Sequence, residues 1–212
     1  MNKISVIFLS LVLSVNLSFS QEELAKQILD ELSEKGNSYK DITAEFSFNF
    51  NNNLQGIDEN SEGKIWIKED MYKLNMASDL SIINNGETLW YFMKDVPEVQ
   101  IMESNPEDEM NPSKIFTIYE RGYKFQYKGN SSEKGKNLHI INLYPETSKA
   151  ISKVVLYVDS EKIEIYKIQL NDKDGGVSSY IINSFITNNK VPESTFNFRK
   201  KDHPGVEVID LR

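Results

Sequence analysis

Residues 44–50 carry the feature that most restricts the fold, since apolar and polar side chains alternate one by one. In the sequence AEFSFNF, Ala44, Phe46, Phe48 and Phe50 share one face of an extended strand, and polar residues share the other. Similar β-forming runs recur at short intervals along the chain: 64–68, 71–76, 82–92, 98–102, 123–128, 138–143, 151–158, 162–170, 177–186 and 194–198. Turn residues such as Asn84-Asn85-Gly86 separate them, which predicts an antiparallel sheet of about ten or eleven strands curling into a sandwich or barrel. The polar stretches 51–63 and 129–137 are predicted to be loops.

Two segments have helical spacing instead. The apolar residues of 22–35 recur with the period of one helix face, namely Ala25, Ile28, Leu29 and Leu32, and Gly36 is expected to end that helix. Asn111-Pro112 has the pattern of an N-cap followed by proline at the first helical position. The sequence therefore predicts a second, short helix over 112–120.

The run 88–93 breaks the alternation of the other strands. Leu89, Trp90, Tyr91 and Phe92 are consecutive, so both faces of this strand are apolar. Two helices with apolar stripes can cover the concave face of a curved sheet. The covered space is then either a filled core or a cavity for an apolar ligand, and this pattern alone does not decide between them.

The first 20 residues have the pattern of a secretory signal peptide. Lys3 precedes an apolar run over 4–17, and the small residues Ser18 and Ser20 stand at the −3 and −1 positions before Gln21. We therefore expect a signal peptide over 1–20, a single domain over 21–212, and a periplasmic location in a Gram-negative type of envelope. Because the mature part has an excess of acidic residues, we expect no binding to nucleic acid.

The residue types that mark most enzymes are scarce. The chain has no cysteine and two histidines, His139 and His203, whose positions fit no metal-binding motif. The acidic run 107–109 is explained by a solvated helix start. We expect no cofactor, no metal and no catalytic residues. A hydrolase with an unrecognised acid pair and a purely structural surface protein stay open as alternatives.

Four ordered motifs resemble the periplasmic outer-membrane lipoprotein carrier family, LolA. They are GKIWIKEDMYKL (63–74), IINNGETLWYF (82–92), NPSKIF (111–116) and VPESTFNF (191–198). The resemblance covers essentially the whole mature chain. It implies a mainly β fold with a helical lid: an incomplete antiparallel β-barrel whose concave apolar face is covered by helices.

The resemblance also implies an activity. A carrier of this family receives acylated lipoproteins from an inner-membrane ABC transporter, shields their acyl chains and delivers them to an outer-membrane acceptor. We expect such a carrier to act as a monomer. The alternative is a lipid- or lipoprotein-sensing module on the same half-barrel, which would bind lipid without extracting it from a membrane.

The sequence departs from the family at one position. Proteobacterial members carry an arginine just after the lysine of the Trp-x-Lys strand, where it governs lid opening, and Glu69 stands here instead. The arginine-based lid mechanism is therefore not carried over. Tyr72 occupies the place of the family's aromatic residue near the cavity mouth, and we expect Tyr72, Tyr91 and Asn75 to moderate the apolar cavity with polar groups.

We predict lipid contact for aromatic and aliphatic residues of the strands and of the short helix. The predicted lipid-binding residues are Phe46, Phe48, Trp66, Tyr72, Leu74, Met76, Trp90, Phe92, Ile115, Phe116 and Tyr119. Ordinary core packing is the competing interpretation for each of them, because the sequence does not show which face of a doubly apolar strand is concave.

Overall fold

One twelve-stranded sheet forms most of the molecule. The computed structural model describes residues 3–77, 79–106, 108, 111–120, 122–147 and 150–212, with the backbone alone for 3–20. The strands are β1 (Ile42–Asn52), β2 (Ile57–Lys68), β3 (Met71–Met76), β4 (Leu80–Asn84), β5 (Thr88–Met93), β6 (Glu98–Glu103), β7 (Tyr123–Glu133), β8 (Lys136–Pro145), β9 (Ile151–Asp159), β10 (Glu164–Asp172), β11 (Val177–Thr187) and β12 (Glu207–Asp210).

The sheet is open rather than closed. Its strand order is β12-β6-β5-β4-β3-β2-β1-β11-β10-β9-β8-β7, so β12 and β7 are its two edges. All neighbours are antiparallel except β12, which runs parallel to β6. The predicted mainly β, incomplete antiparallel barrel with a helical cover is confirmed, with one or two strands more than expected.

A long helix, α1 (Lys3–Ser38), packs on the inner face of the β7–β10 half of the sheet. The predicted stripe is confirmed, because Ala25, Ile28, Leu29 and Leu32 are at most 4 % exposed. They belong to one buried hydrophobic cluster with inward residues of β8 and β9 such as Leu143 and Leu156. In the described part of the chain, no helix is both long and apolar enough to cross a membrane.

The helix does not end at Gly36 as predicted, since it continues to Ser38. Gly36 serves a packing purpose instead. A Cβ atom at this position would lie 2.5 Å from Cγ of Phe116. The missing side chain therefore lets the second helix approach α1 closely.

The second helix, a 3₁₀ helix over Pro112–Glu120, is called the lid helix below. Its position agrees with the prediction. Asn111 caps it as expected, because the Asn111 Oδ1 atom accepts a hydrogen bond from the Ser113 backbone N–H at 3.0 Å. Together with α1, the lid helix covers the concave face of the sheet.

The two polar stretches predicted as loops are largely strand. Residues 57–63 belong to β2, and 129–137 form the turn end of the hairpin between β7 and β8. Polar side chains bond across these strands, as where Asn49 Nδ2 donates to Asp58 Oδ1 at 2.7 Å and to Asn60 Oδ1 at 3.0 Å. The alternation signal failed here because both faces of these strand ends are polar.

The predicted final strand over 194–198 is wrong. This segment forms a 3₁₀ turn, Glu193–Phe196, in which the Thr195 N–H bonds the Pro192 carbonyl at 3.0 Å. The final strand is β12 instead, which is too short for an alternation pattern to reveal. It is held to β6 through bonds such as Glu207 N–H to the Pro97 carbonyl at 2.8 Å.

Candidate functional site

A cavity of about 440 Å³ lies between the concave face of the sheet and the lid helix. This volume falls within the range of about 300–1,000 Å³ that is typical of small-molecule sites. Its apolar and aromatic lining comes from strands of both halves of the sheet and from the lid helix: Ile42, Ala44, Phe46, Ile65, Ile67, Tyr72, Leu74, Ile82, Tyr91, Pro112, Ile115, Phe116, Ile118, Tyr123, Ile151, Ile165, Ile168, Leu170, Tyr180, Ile182 and Phe185.

Strand alternation explains the floor of the cavity. On β1, Ile42, Ala44 and Phe46 all point inward, because every second side chain of a strand shares a face. Phe46 is paired with Gly63 of β2, and a Cβ atom on Gly63 would overlap the Phe46 ring. The aromatic ring therefore lies across the bare glycine.

The lid helix closes the cavity with an aromatic contact. The Phe116 ring lies with its centroid 6.4 Å from that of Tyr39 and 6.5 Å from that of Phe185. Ile115 and Ile118 complete the apolar side of this helix towards the cavity. The apolar side of the lid helix thus faces the cavity and packs against the end of α1.

Polar bonds fasten both ends of the lid helix. Near its start, Lys114 pairs with Asp70 in the turn between β2 and β3. Near its end, the Tyr119 hydroxyl donates to Asp30 Oδ1 of α1 at 2.8 Å, and Ser33 Oγ donates to Glu120 Oε1 at 2.9 Å. The lid is therefore tied to the sheet at one end and to α1 at the other.

Polar and charged residues also line the mostly apolar cavity: Tyr72, Tyr91, Asp108, Asn111, Lys114 and Thr147. Burial raises the pKa of Tyr72 to about 12, although a hydrogen bond with Asn84 opposes the shift. Burial and the nearby Asp108 carboxylate raise the pKa of Tyr91 as well. Both phenols are therefore neutral at physiological pH, and their hydroxyls can hydrogen-bond the polar part of a ligand.

Five of the eleven residues predicted for lipid contact line this cavity: Phe46, Tyr72, Leu74, Ile115 and Phe116. Three of the other predicted residues have different surroundings. The Phe48 ring contacts that of Tyr180 at a tilted angle, with centroids 5.0 Å apart, Met76 ends β3, and Tyr119 packs against Phe125 beside α1. These three do not line the cavity.

Trp90 and Phe92 lie on the outer face of β5, opposite the cavity. Phe92 contacts the rings of Phe198 at 5.3 Å and His203 at 4.4 Å, and Trp90 packs beside the same group. The C-terminal segment thus covers the second apolar face of β5. The residue of this run that lines the cavity is Tyr91.

Trp66 also lies on the outer face. Its ring is flanked by the Lys64 and Lys73 ammonium groups at 5.4 and 6.0 Å from the centroid. Its neighbour Ile65 points into the cavity. Trp66 therefore has cationic partners on the outer face and does not line the cavity.

Sequence reasoning missed the lining from β10 and β11. The inward position in β10 shifts from Ile165 to Ile168 and Leu170, which changes the parity of the alternation. In β11 it shifts in the same way from Ile182 to Phe185. The parity changes come from β-bulges at Tyr166 and Asn183. The sequence hides the first one, because Tyr166 continues the alternation of Ile168 and Leu170.

The two histidines have structural partners. His139 Nδ1 lies 2.9 Å from both the Tyr127 hydroxyl and Asn130 Oδ1, and burial lowers the pKa of His139. His203 stacks on Phe198. Among the described residues, no three His, Cys, Asp or Glu side chains are grouped as a metal site.

Solved structures share this fold at low sequence identity. An uncharacterised conserved protein from Thermus thermophilus matches with a TM-score of 0.59 and 12% identity, over 88% of this chain and 98% of the other. The complex of MucA with MucB from Pseudomonas aeruginosa matches with a TM-score of 0.50 and 13% identity, over 84% of this chain and 62% of the other. A LolA superfamily protein from Nitrosomonas europaea matches with a TM-score of 0.44 and 15% identity, over 82% and 97%.

No functionally curated protein matches the chain. The family model described as outer membrane lipoprotein carrier protein LolA matches residues 37–199, a range that contains β1 to β11 and the lid helix. The chain therefore belongs to the LolA family.

Proposed function

We propose that this protein is a periplasmic carrier that shields the acyl chains of lipoproteins and shuttles them from an inner-membrane ABC transporter to an outer-membrane acceptor. The observation that supports this is the apolar cavity under a tied lid in a chain of the LolA family. Members of this family are carrier or binding proteins. Export would depend on the signal peptide predicted over 1–20.

The apolar lining of the cavity suits the acyl chain of a lipoprotein. Removing an acyl chain from water gains about 0.8 kcal/mol per CH₂ group, hence on the order of 10 kcal/mol for one long chain. Without a shield, a lipoprotein would leave its membrane very slowly. The Tyr72 and Tyr91 hydroxyls make the cavity less apolar than a pure hydrocarbon, which keeps release possible.

The direct test is lipoprotein release. Residues 21–212 are purified and incubated with spheroplasts whose lipoproteins carry radiolabelled palmitate. We expect labelled lipoprotein to appear in solution as a discrete complex with the protein. If the folded protein leaves all label in the membrane, the carrier function is refuted.

Two adjacent residues of β2 supply the matched variants. Ile65→Glu places a carboxylate inside the cavity, and we expect it to abolish release. Trp66→Glu places the same group outside, between Lys64 and Lys73, and we expect it to leave release intact. Equal release by the two variants would exclude this cavity as the binding site.

A sensing module is the second candidate. It is favoured by the likeness to MucB, which was solved in complex with the protein MucA. A sensor would bind an acylated peptide in solution without extracting lipoprotein from spheroplasts. Binding without release would therefore favour the sensor over the carrier.

A further inference from the structure

Strands β10 and β11 are paired along only part of their length. Their pairing runs from Lys167 opposite Ile181 to Asn171 opposite Val177. β10 nevertheless begins at Glu164, and β11 continues to Thr187. Residues 164–166 and 182–187 therefore keep a strand partner on one side only, and the wall of the half-barrel is split between them.

Two β-bulges lie where the strands separate. Tyr166 is an extra residue of β10 relative to β9, and Asn183 is an extra residue of β11 relative to β1. A bulge bends its strand and increases the local twist. Because the two bulges are on the strands that face each other, they account for the split.

A hollow of about 150 Å³ occupies the split. Three of its lining residues, Ile165, Ile182 and Phe185, also line the main cavity. Tyr166 and Lys136 line it too, and their contacts with each other lie outside the cavity. The hollow therefore occupies the split in the wall and shares part of its lining with the main cavity.

This hollow is polar, unlike the cavity behind it. Lys136 pairs with Asp159 at 3.0 Å, and Lys35 pairs with Glu164 at 3.2 Å. The Tyr166 hydroxyl donates to Glu133 Oε1 at 3.2 Å. The strand edges at the split also present backbone N–H and C=O groups, which can bond the amide and ester groups of an acylated peptide.

We propose that the split between β10 and β11 is a lateral mouth of the cavity, at which the polypeptide end of an acylated ligand leaves the barrel while its acyl chain stays inside. This inference rests on the proposed function. The lid margin is the competing exit, but bonds at both ends fasten the lid helix. At the split, no strand pairing between β10 and β11 has to break.

Photocrosslinking tests where the polar end lies. The probe is a fluorescent N-palmitoylated peptide with a diazirine on the residue next to the palmitoyl group. Fluorescence anisotropy first measures binding to residues 21–212, and crosslinked positions are then mapped by mass spectrometry. We expect crosslinks in 162–166 and 182–186. Crosslinks confined to 70–72, 108 and 111–116 would place the exit at the lid and overturn the proposal.

Paired tryptophan variants on β11 give a second test. Ser184→Trp fills the hollow, and we expect it to remove the crosslinks at the split and to raise the Kd at least about tenfold. Ser179→Trp alters the same strand where β1 and β10 flank it on both sides, and we expect a small effect. Equal Kd values for the two variants would contradict a lateral mouth.

The two proposals fail in different ways. If the unmodified protein does not bind the palmitoylated peptide, the proposed lipid-binding function is refuted and the lateral mouth with it. If the peptide binds but its polar end crosslinks only at the lid margin, lipid binding stands and the lateral mouth alone is refuted.

Discussion

At the scale of single residues, a glycine opposite a large aromatic ring shapes the cavity. The Phe46 ring lies over Gly63, where a Cβ atom would overlap its outer carbons. The sequence predicted that Phe46 faces inward, because it belongs to a clean alternation. It did not show Gly63 as its counterpart, since strand register is set by the whole sheet.

The first prediction concerns this pair. Gly63→Ala should destabilise the fold by about 1–3 kcal/mol, because the Phe46 ring must leave its place and crowd the cavity. Urea unfolding measures the change. In Phe46→Ala the added methyl group has nothing to displace, so Gly63→Ala should cost much less in that background. Equal costs in the two backgrounds would show that the residues are not coupled.

The second prediction follows from the buried phenol of Tyr72. Its folded-state pKa is about 12, above the ordinary value of 10.0, so folding favours the neutral form. The resulting stabilisation is present below the unfolded pKa and is lost as pH rises towards the folded pKa. Unfolding free energy should therefore fall between these two values.

Urea unfolding across that alkaline range, with Tyr72→Phe as the variant, isolates this group. The variant should show a weaker decline than the unmodified protein, because one of several buried phenols no longer titrates. Identical declines would mean that Tyr72 ionises equally easily in the folded and unfolded states.

At the scale of elements, the lid helix was predictable and its fastening was not. Asn111-Pro112 marks its start, and apolar residues at helical spacing mark its inward face. Its bonds to Asp70, Asp30 and Ser33 join residues far apart in sequence, which no local pattern reveals. The lysine of the lid and the aspartate of the β2–β3 turn form the tie at the sheet end.

The third prediction tests that tie. Asp70→Asn should increase hydrogen exchange of the amides in 112–120 severalfold and change global stability by less than about 1 kcal/mol, because the Asp70 side of the ion pair is exposed to water. The swap Asp70→Lys with Lys114→Asp should restore slow exchange. Fast exchange in the swapped variant would show that charge pairing does not hold the lid.

The same limits apply to the strands. In β1 and β3 the alternation is clear, and Phe46, Tyr72 and Leu74 lie on the cavity side. In β2 the sequence predicted lipid contact for Trp66, although Ile65 and Ile67 line the cavity instead. In β5 both parities are apolar, so Trp90 and Phe92 were assigned to the cavity although Tyr91 lines it. The position of the C-terminal segment decides which face of β5 is turned away from the cavity. That position depends on tertiary structure, so no local sequence pattern reveals it.

At the scale of the whole molecule, two coverings act on opposite faces of one sheet. The α1 helix and the lid helix cover the concave face, and the C-terminal segment from 191 onward covers the outer face of β5 and β6. Phe196 and Val206 of this segment are buried. The outer covering stabilises the sheet and leaves the cavity free for a ligand.

The fourth prediction tests whether the C-terminal covering is needed for stability but not for ligand binding. Deleting residues 203–212 should expose Phe92 and remove β12 from the sheet, which lowers the midpoint of thermal unfolding by several degrees. Binding of an acylated peptide should persist at a temperature where the shortened protein is folded. Loss of binding by a folded, shortened protein would show that the outer covering also shapes the cavity.

The strand order has a consequence for how the chain folds. β1 to β6 follow one another in the sheet, and so do β7 to β11, so each half can assemble from local hairpins. Among the strand pairings of the described residues, β1 against β11 alone joins the halves, from Ile42 opposite Thr187 to Asn51 opposite Val177. That seam closes a very long loop, and its entropic cost is met only after β11 is available. The concave cavity is therefore a late product of folding, completed when the two meanders meet.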